Sequence, residues 1–207
     1  MYRNNSTRIF PIILIIIVIV ALIAGIVTVG RYLFSGNGDT DQQKSRAETA
    51  REALLKVDVD QSVRMTIRGP IVGNEAFRSY QVTVSSSQRE YVVYKGYLED
   101  VESRKTYRNN TSAYEEFVYA LDKAALTSSG KYTDEQADDL RGICATGRVY
   151  QFEILDEGSP SESYWTSTCK GSLGTFGASV QQVTDLFTKQ IPDKVEYNSQ
   201  FSMPTLQ

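Results

Sequence analysis

The residues of this chain that could do chemistry are bounded first by an absence: the 207 residues include no histidine. That removes the commonest general base and the commonest metal ligand. Ser-His-Asp and Cys-His catalysis and His-based zinc sites are excluded with it. Two cysteines are present, Cys144 and Cys169. They lack the close C-x-x-C spacing of a redox pair, and two is the number for one disulfide. Asp134, Glu135, Asp138 and Asp139 crowd TDEQADDL but lack the D-x-[DN]-x-[DN]-G calcium pattern, so they read as a solvated helix face. Glu115 and Glu116 are adjacent on a helix and point to different sides, which is poor geometry for paired-carboxylate catalysis. Gly171, Gly174 and Gly177 in CKGSLGTFG, with Lys170 beside them, lead into a helix as an anion-binding loop would. They match neither phosphate-loop pattern and read as a loop that tolerates positive φ. No catalytic residue, metal ligand or cofactor is assigned.

Thirteen tyrosines and one tryptophan supply the remaining recognition chemistry. Tyr91 and Tyr97 read as sharing one strand face, with Tyr94 on the other. Such rings give large contact area at low entropic cost, so Tyr91, Tyr97 and Trp165 are the candidate binding surface. Packing towards helices as core is the competing use of the same rings. Asn109-Asn110-Thr111 and Asn110-Thr111-Ser112 are glycosylation sequons, and helix capping explains the same letters.

The elements that would hold these residues follow from periodicity. SGNGDT is a spacer. Ala47, Ala50, Leu54 and Val57 then recur at helical spacing, with Asp39 or Thr40 as cap. Val63, Met65 and Ile67 alternate with Arg64, Thr66 and Arg68, as in a half-buried strand. Tyr80, Val82 and Val84 begin a second strand, SSSQR turns, and EYVVYKGYL returns. Ser112 with Glu115 has capping-box form. Tyr114, Phe117, Val118, Leu121 and Ala125 make the helix face that follows. GRVYQFEIL is a strand, DEGSPSE a loop and SYWTSTC the return. Phe176, Val180, Val183 and Phe187 mark a last helix, stopped at Ile191-Pro192. The fold class is therefore α+β: an antiparallel sheet with helices on one face, readable as two ββα units. In the second hairpin, Cys144 precedes the first strand and Cys169 ends the second, so their sulfurs can meet. Closing that loop would contribute about 3–4 kcal/mol in the chain-entropy account.

Ahead of this body, RIFPIILIIIVIVALIAGIVTVGR places 22 uncharged residues between Arg8 and Arg31. Ile9–Val29 has the length to cross a bilayer as a helix. A cleaved signal peptide competes, but its apolar core is shorter, and Ala21-Leu22-Ile23-Ala24 has the wrong spacing for its cleavage site. Arg3, Arg8 and the amine flank the run without an acid, so the positive-inside bias puts the N-terminus in the cytoplasm and the body outside. The expected organisation is a cytoplasmic tail over 1–8, a transmembrane helix over 9–30, a spacer and helical stalk over 31–58, an extracytoplasmic domain over 59–198 and a tail over 199–207. Outside Arg3 and Arg8 the chain has 20 basic and 25 acidic residues, a net of −5. That balance argues against nucleic acid as partner.

The Ile-rich anchor, RGICATG with WTSTC, and LFTKQIPD resemble single-pass, membrane-anchored surface proteins of Saccharibacteria-type ultrasmall bacteria. The resemblance covers most of the chain and implies a surface location. It transfers no activity and no functional residue. The layout of anchor, helix and late disulfide also resembles type IV pilins, but the Glu those carry inside the apolar run is missing from Ile9–Val29. The function expected on these grounds is a non-catalytic, membrane-anchored extracytoplasmic module. It would bind an envelope protein or wall polymer, or associate with itself, and use the bilayer as anchor. The alternatives are an enzyme acting on wall polymers through carboxylates and a pilin-like filament subunit.

Overall fold

The computed structural model describes residues 38–97, 100–130, 139–171 and 174–192, with side chains from residue 46 on. The cytoplasmic tail over 1–8, the span over 9–30, the acids Asp134, Glu135 and Asp138 and the tail over 199–207 lie outside these residues. Among the described residues no helix is long and apolar enough to cross a membrane. The chain divides into two compact units, Met1–Arg46 and Ala47–Gln207. Of the first, only residues 38–46 are described, and they are helical.

The elements run α1 (Gly38–Leu55), β1 (Gln61–Arg68), β2 (Arg78–Ser85), β3 (Gln88–Lys95), β4 (Asp100–Arg108), α2 (Thr111–Lys123), β5 (Val149–Asp156), β6 (Ser159–Ser167) and α3 (Val180–Thr188). The six strands form one antiparallel sheet in the order β4-β3-β2-β1-β5-β6. The α+β class holds. The repeat of two ββα units does not, because four strands, not two or three, precede α2. β4, DVESRKTYR, escapes the alternation rule. It is an edge strand exposed along most of its length, so it needs no apolar face.

β1 sits at the centre of the sheet. Val63, Met65 and Ile67 lie opposite Val84, Val82 and Tyr80 on one side, and Ile154, Phe152 and Tyr150 on the other. All nine are buried. The helices cover this face. α2 buries Tyr114, Phe117, Val118 and Leu121, and α3 buries Val183, Thr184 and Phe187. Phe187 meets Phe117 edge-on at 5.3 Å and Phe152 at 6.2 Å between ring centres, tying both helices to the sheet. From Ala47 onward α1 is part of this body rather than a separate stalk. Ala50 and Leu54 are buried in the same core, and Arg51 grips Asp122 at 2.6 and 2.8 Å. Asp39 and Thr40 lie inside α1, which starts at Gly38, and so do not cap it.

Several local expectations shift for identifiable reasons. α2 is capped by Asn110, not Ser112: the extended backbone of Asn110 lets its side chain accept from the amide of Ala113. The neighbouring Asn109 is fixed to the β2–β3 hairpin, donating to Ser85 O at 2.7 Å, so the helix starts immediately after it. At the other end Ala125 is not on the helix face. It has φ 58° and is exposed, in a Schellman turn where Ala125 N donates to Asp122 O and Leu126 N to Leu121 O. Phe176 precedes α3 and pairs as an isolated bridge with Ser129, while its ring packs on Phe152 at 4.7 Å. The supposed loop DEGSPSE shrinks to a two-residue turn, Glu157-Gly158, with β6 starting at Ser159. Both turn residues have positive φ, which matches the twist of the flanking strands.

Two stability outcomes follow. Alanine in the left-handed region costs about 1–2 kcal/mol, partly offset by the larger unfolded-state freedom of glycine, so Ala125→Gly should raise the unfolding free energy by about 0.5–1 kcal/mol in urea denaturation. Burial pushes the Tyr114 phenol above its ordinary range. Below about pH 10 it is neutral in both states and contributes no pH dependence. Above that the unfolded chain ionises and the folded one does not, so stability falls as pH rises, by at most about 1.4 kcal/mol per pH unit. Urea denaturation of the parent and of Tyr114→Phe from pH 8 to 11 should show the shallower decline in the variant.

Candidate binding face

The alternation that sends Val63, Met65 and Ile67 to the helices sends Ser62, Arg64, Thr66 and Arg68 to the opposite face. Strand register assembles this face, which is helix-free among the described residues, into rows. The middle rows are polar. Thr66 accepts from Gln81 at 3.1 Å. Glu153, directly opposite Arg64, takes Arg64 Nε at 2.7 Å on one carboxylate oxygen and Gln151 Nε2 at 3.1 Å on the other. Glu153 is buried, yet both its oxygens are occupied, as a buried carboxylate requires. Glu90 is held by Arg104 at 2.9 Å, and off this face, at the start of β2, Arg78 holds Glu102 at 2.6 Å. These acids are engaged in charge pairs rather than gathered around a reactive centre.

The row at the end of the face is different. Tyr94 of β3, Ser79 of β2, Arg68 of β1 and Val149 of β5 lie directly opposite one another in sequence. Val101 lies opposite Tyr94 on the far side. The chain leaves this row through Gly69-Pro70 into Ile71 and Val72, and through Gly96 into Tyr97. Tyr97 stacks on Phe77 with ring centres 4.0 Å apart and donates to Val72 O at 2.7 Å. That bond pins the two loops together. Ile71 is 46 % exposed, Val72 41 %, Tyr97 45 % and Val101 49 %. Four of the six exposed large hydrophobics among the described residues therefore gather at one end of the sheet.

The three aromatic residues picked out from sequence separate here. Tyr91 is buried against the helices and packs beside Tyr80. Trp165 is also buried, on the helix-free face, in a small cluster with Cys144 and Val149 that Leu140, Ile143 and Cys169 complete. Neither ring is presented to a partner. Tyr97 is exposed but does not share a strand face with Tyr91, because β3 ends at Lys95 and Gly96 turns the chain with φ 73°. Cys144 and Cys169 are joined, with Cα atoms 5.3 Å apart. The bond fastens the loop over Trp165 at the same end of the sheet. Ile71 N donates to Ala145 O at 2.8 Å, linking this loop to the apolar tip. Asp139 is held down to about 2 by the guanidinium and backbone amide of Arg141.

The glycine-rich loop also resolves into structure. A Cβ on Gly174 would overlap the backbone of Trp165, and one on Gly177 would press on Ser129 O at 2.9 Å. Phe176 N donates to Trp165 O, and Thr175 Oγ1 accepts from Trp165 N. These glycines let the chain cover the outer edge of β6. Among the described residues no group of three or more Cys, Asp or Glu is placed to hold a metal ion. The residues that sequence reasoning missed are Arg68, Ser79 and Tyr94. Alternation marks each as off the core face, but only the register puts them side by side.

Removing one partner of a buried ion pair leaves the other charged and unpaired, so Arg64→Met should destabilise the fold by about 3 kcal/mol. Combining it with Glu153→Leu should recover most of that loss. Equilibrium denaturation of the single and double variants checks both, and a single-variant loss below about 1 kcal/mol would mark the pair as an ordinary surface one. No family model matches this sequence, and no curated protein matches it.

Proposed function

We propose that this chain is a non-catalytic, membrane-anchored module whose body lies outside the cytoplasm and binds a protein partner of the envelope. The observation that carries the reading is the exposed apolar tip of Ile71, Val72, Tyr97 and Val101. Contiguous exposed apolar surface framed by polar groups is the usual mark of a protein interaction site. The two loops that carry it are fixed to each other by the Tyr97–Val72 bond and the Phe77 stack, so the patch is set before a partner arrives. Preorganisation of that kind lowers the ordering cost of association. The disulfide favours an oxidising compartment. The apolar run Ile9–Val29 supplies the anchor, and the charge bias of its flanks puts the body outside. The same surface serves self-association if the partner is a second copy.

Crosslinking in intact cells followed by mass spectrometry tests this. A defined envelope protein, or a second copy of the chain, should be captured through residues 69–77 and 96–101. Ile71→Asp and Tyr97→Ala should reduce capture at least about tenfold, as loss of a central apolar anchor does. Val59→Asp is the control: Val59 is 78 % exposed and lies just before the opposite end of β1. Equal capture by all three variants, or recovery of wall glycan alone, would reject the apolar tip as the docking site.

A further inference from the structure

The row beside the apolar tip holds polar groups that nothing satisfies. Ser79 is 0 % exposed and its hydroxyl has no partner. Arg68, directly across from it, is half-buried, and its Nε is shielded from solvent and unbonded. Buried polar groups are nearly always bonded, so two orphans facing each other across a strand pair ask for a third party. Three other arginines of this sheet make the contrast, while Arg89 gives its Nη groups to the backbone oxygens of Gln190 and Arg108. Arg64, Arg78 and Arg104 each hold a carboxylate, at 2.7, 2.6 and 2.9 Å. Arg68 holds none among the described residues. Tyr94, on the far side of Ser79, adds a third polar group to the row, also half-buried and without a partner among the described residues.

We infer that Arg68, Ser79 and Tyr94 form a carboxylate-binding site. It takes an acidic side chain or chain terminus of a polypeptide whose neighbouring apolar group rests on Ile71, Val72, Tyr97 and Val101. The outer fork of the guanidinium, through its two Nη, matches the two oxygens of a carboxylate. The Tyr94 phenol supplies a further donor along the row, and Ser79, fully buried, lies between it and Arg68. A single cation suits a monoanion, and the net charge of −5 outside Arg3 and Arg8 disfavours a dianionic phosphate. Neighbouring residues on three strands sit about 5 Å apart, so one carboxylate reaches two of the groups at once. This inference rests on the partner-binding reading above and names the chemistry that reading leaves open.

The test uses the full chain in detergent micelles, labelled with 15N-arginine, and small probes rather than the cellular partner. N-acetyl-L-leucine carries a carboxylate beside an apolar group. It should shift the Arg68 Nε resonance saturably, with a Kd on the order of millimolar. N-acetyl-L-leucinamide, which lacks the charge, should not. Arg68→Lys should weaken binding by about tenfold, because a point charge replaces the fork. The double variant S79A/Y94F, which leaves Arg68 in place, should weaken it by about threefold or more through the lost phenol donor. That double variant keeps the test valid if substitution of Arg68 disturbs folding, and amide dispersion reports folding directly. No saturable shift, an equal shift with the amide, or tighter binding of inorganic phosphate would overturn the carboxylate assignment. If cellular capture still depended on Ile71 in that case, the partner reading would stand without it.

Discussion

The structure depends on the two-sided character of β1. Its alternation of Val63, Met65 and Ile67 with Arg64, Thr66 and Arg68 is a period of two, and a one-residue slip would exchange the faces. Because β1 is central, its neighbours on both sides must match it. Val82 and Phe152 flank Met65 on one face, while Gln81 and Gln151 flank Thr66 on the other. The apolar face draws in α1, α2 and α3, and Phe187 bridges α2 to the sheet. No described helix covers the polar face, and in its middle rows the buried groups satisfy one another laterally. The Arg64–Glu153–Gln151 cluster is the main example, and it fixes register by charge where the core fixes it by shape.

The two edges of the sheet are handled by different means. β6 is covered by its own downstream chain, through Thr175 and Phe176, and Gly174 makes the close approach sterically possible. β4 is left open among the described residues, but it is lined with charge, and Lys105 sits on the core-facing side of its pleat. A register irregularity between Val93 and Tyr94 bends β4 near its start. Charges and bulges of this sort discourage edge-to-edge aggregation. The same irregularity sets Val101 across from Tyr94, so the device that guards the edge also builds the rim of the candidate site.

That end of the sheet concentrates the protein's special features. The disulfide, the Trp165 cluster, the Phe77–Tyr97 stack and the unpaired Arg68 and Ser79 all meet there. The opposite end is occupied with joining elements: the β2–β3 and β5–β6 turns, the Asn110 cap and the contact of Arg89 with Gln190 O. Loops on a rigid scaffold are where binding residues usually sit, because the scaffold fixes them without needing them for the core. Here the loops are additionally braced by Ile71 N to Ala145 O and by the covalent bond, which limits how far the apolar tip can yield.

By itself the sequence determined what depends on nearest neighbours and period. It specified the α+β class, the alternating central strands, the apolar faces of α2 and α3, and the cysteines flanking one hairpin. Those signals are local, and hydrophobic periodicity reports burial wherever one face meets a core. It was silent where burial does not discriminate. β4 carries almost no apolar residue because an edge strand needs none. The choice between Asn110 and Ser112 as cap turned on the tether of Asn109 to Ser85. The tyrosines could not be sorted, because an aromatic ring suits a core and an interface equally. Tertiary structure alone sent Tyr91 and Trp165 inside and left Tyr97 outside. It also set Arg68, Ser79 and Tyr94 in one row. These three lie 11 and 15 positions apart along the chain, and pairing register, a non-local property fixed by the shared core, is what brings them together.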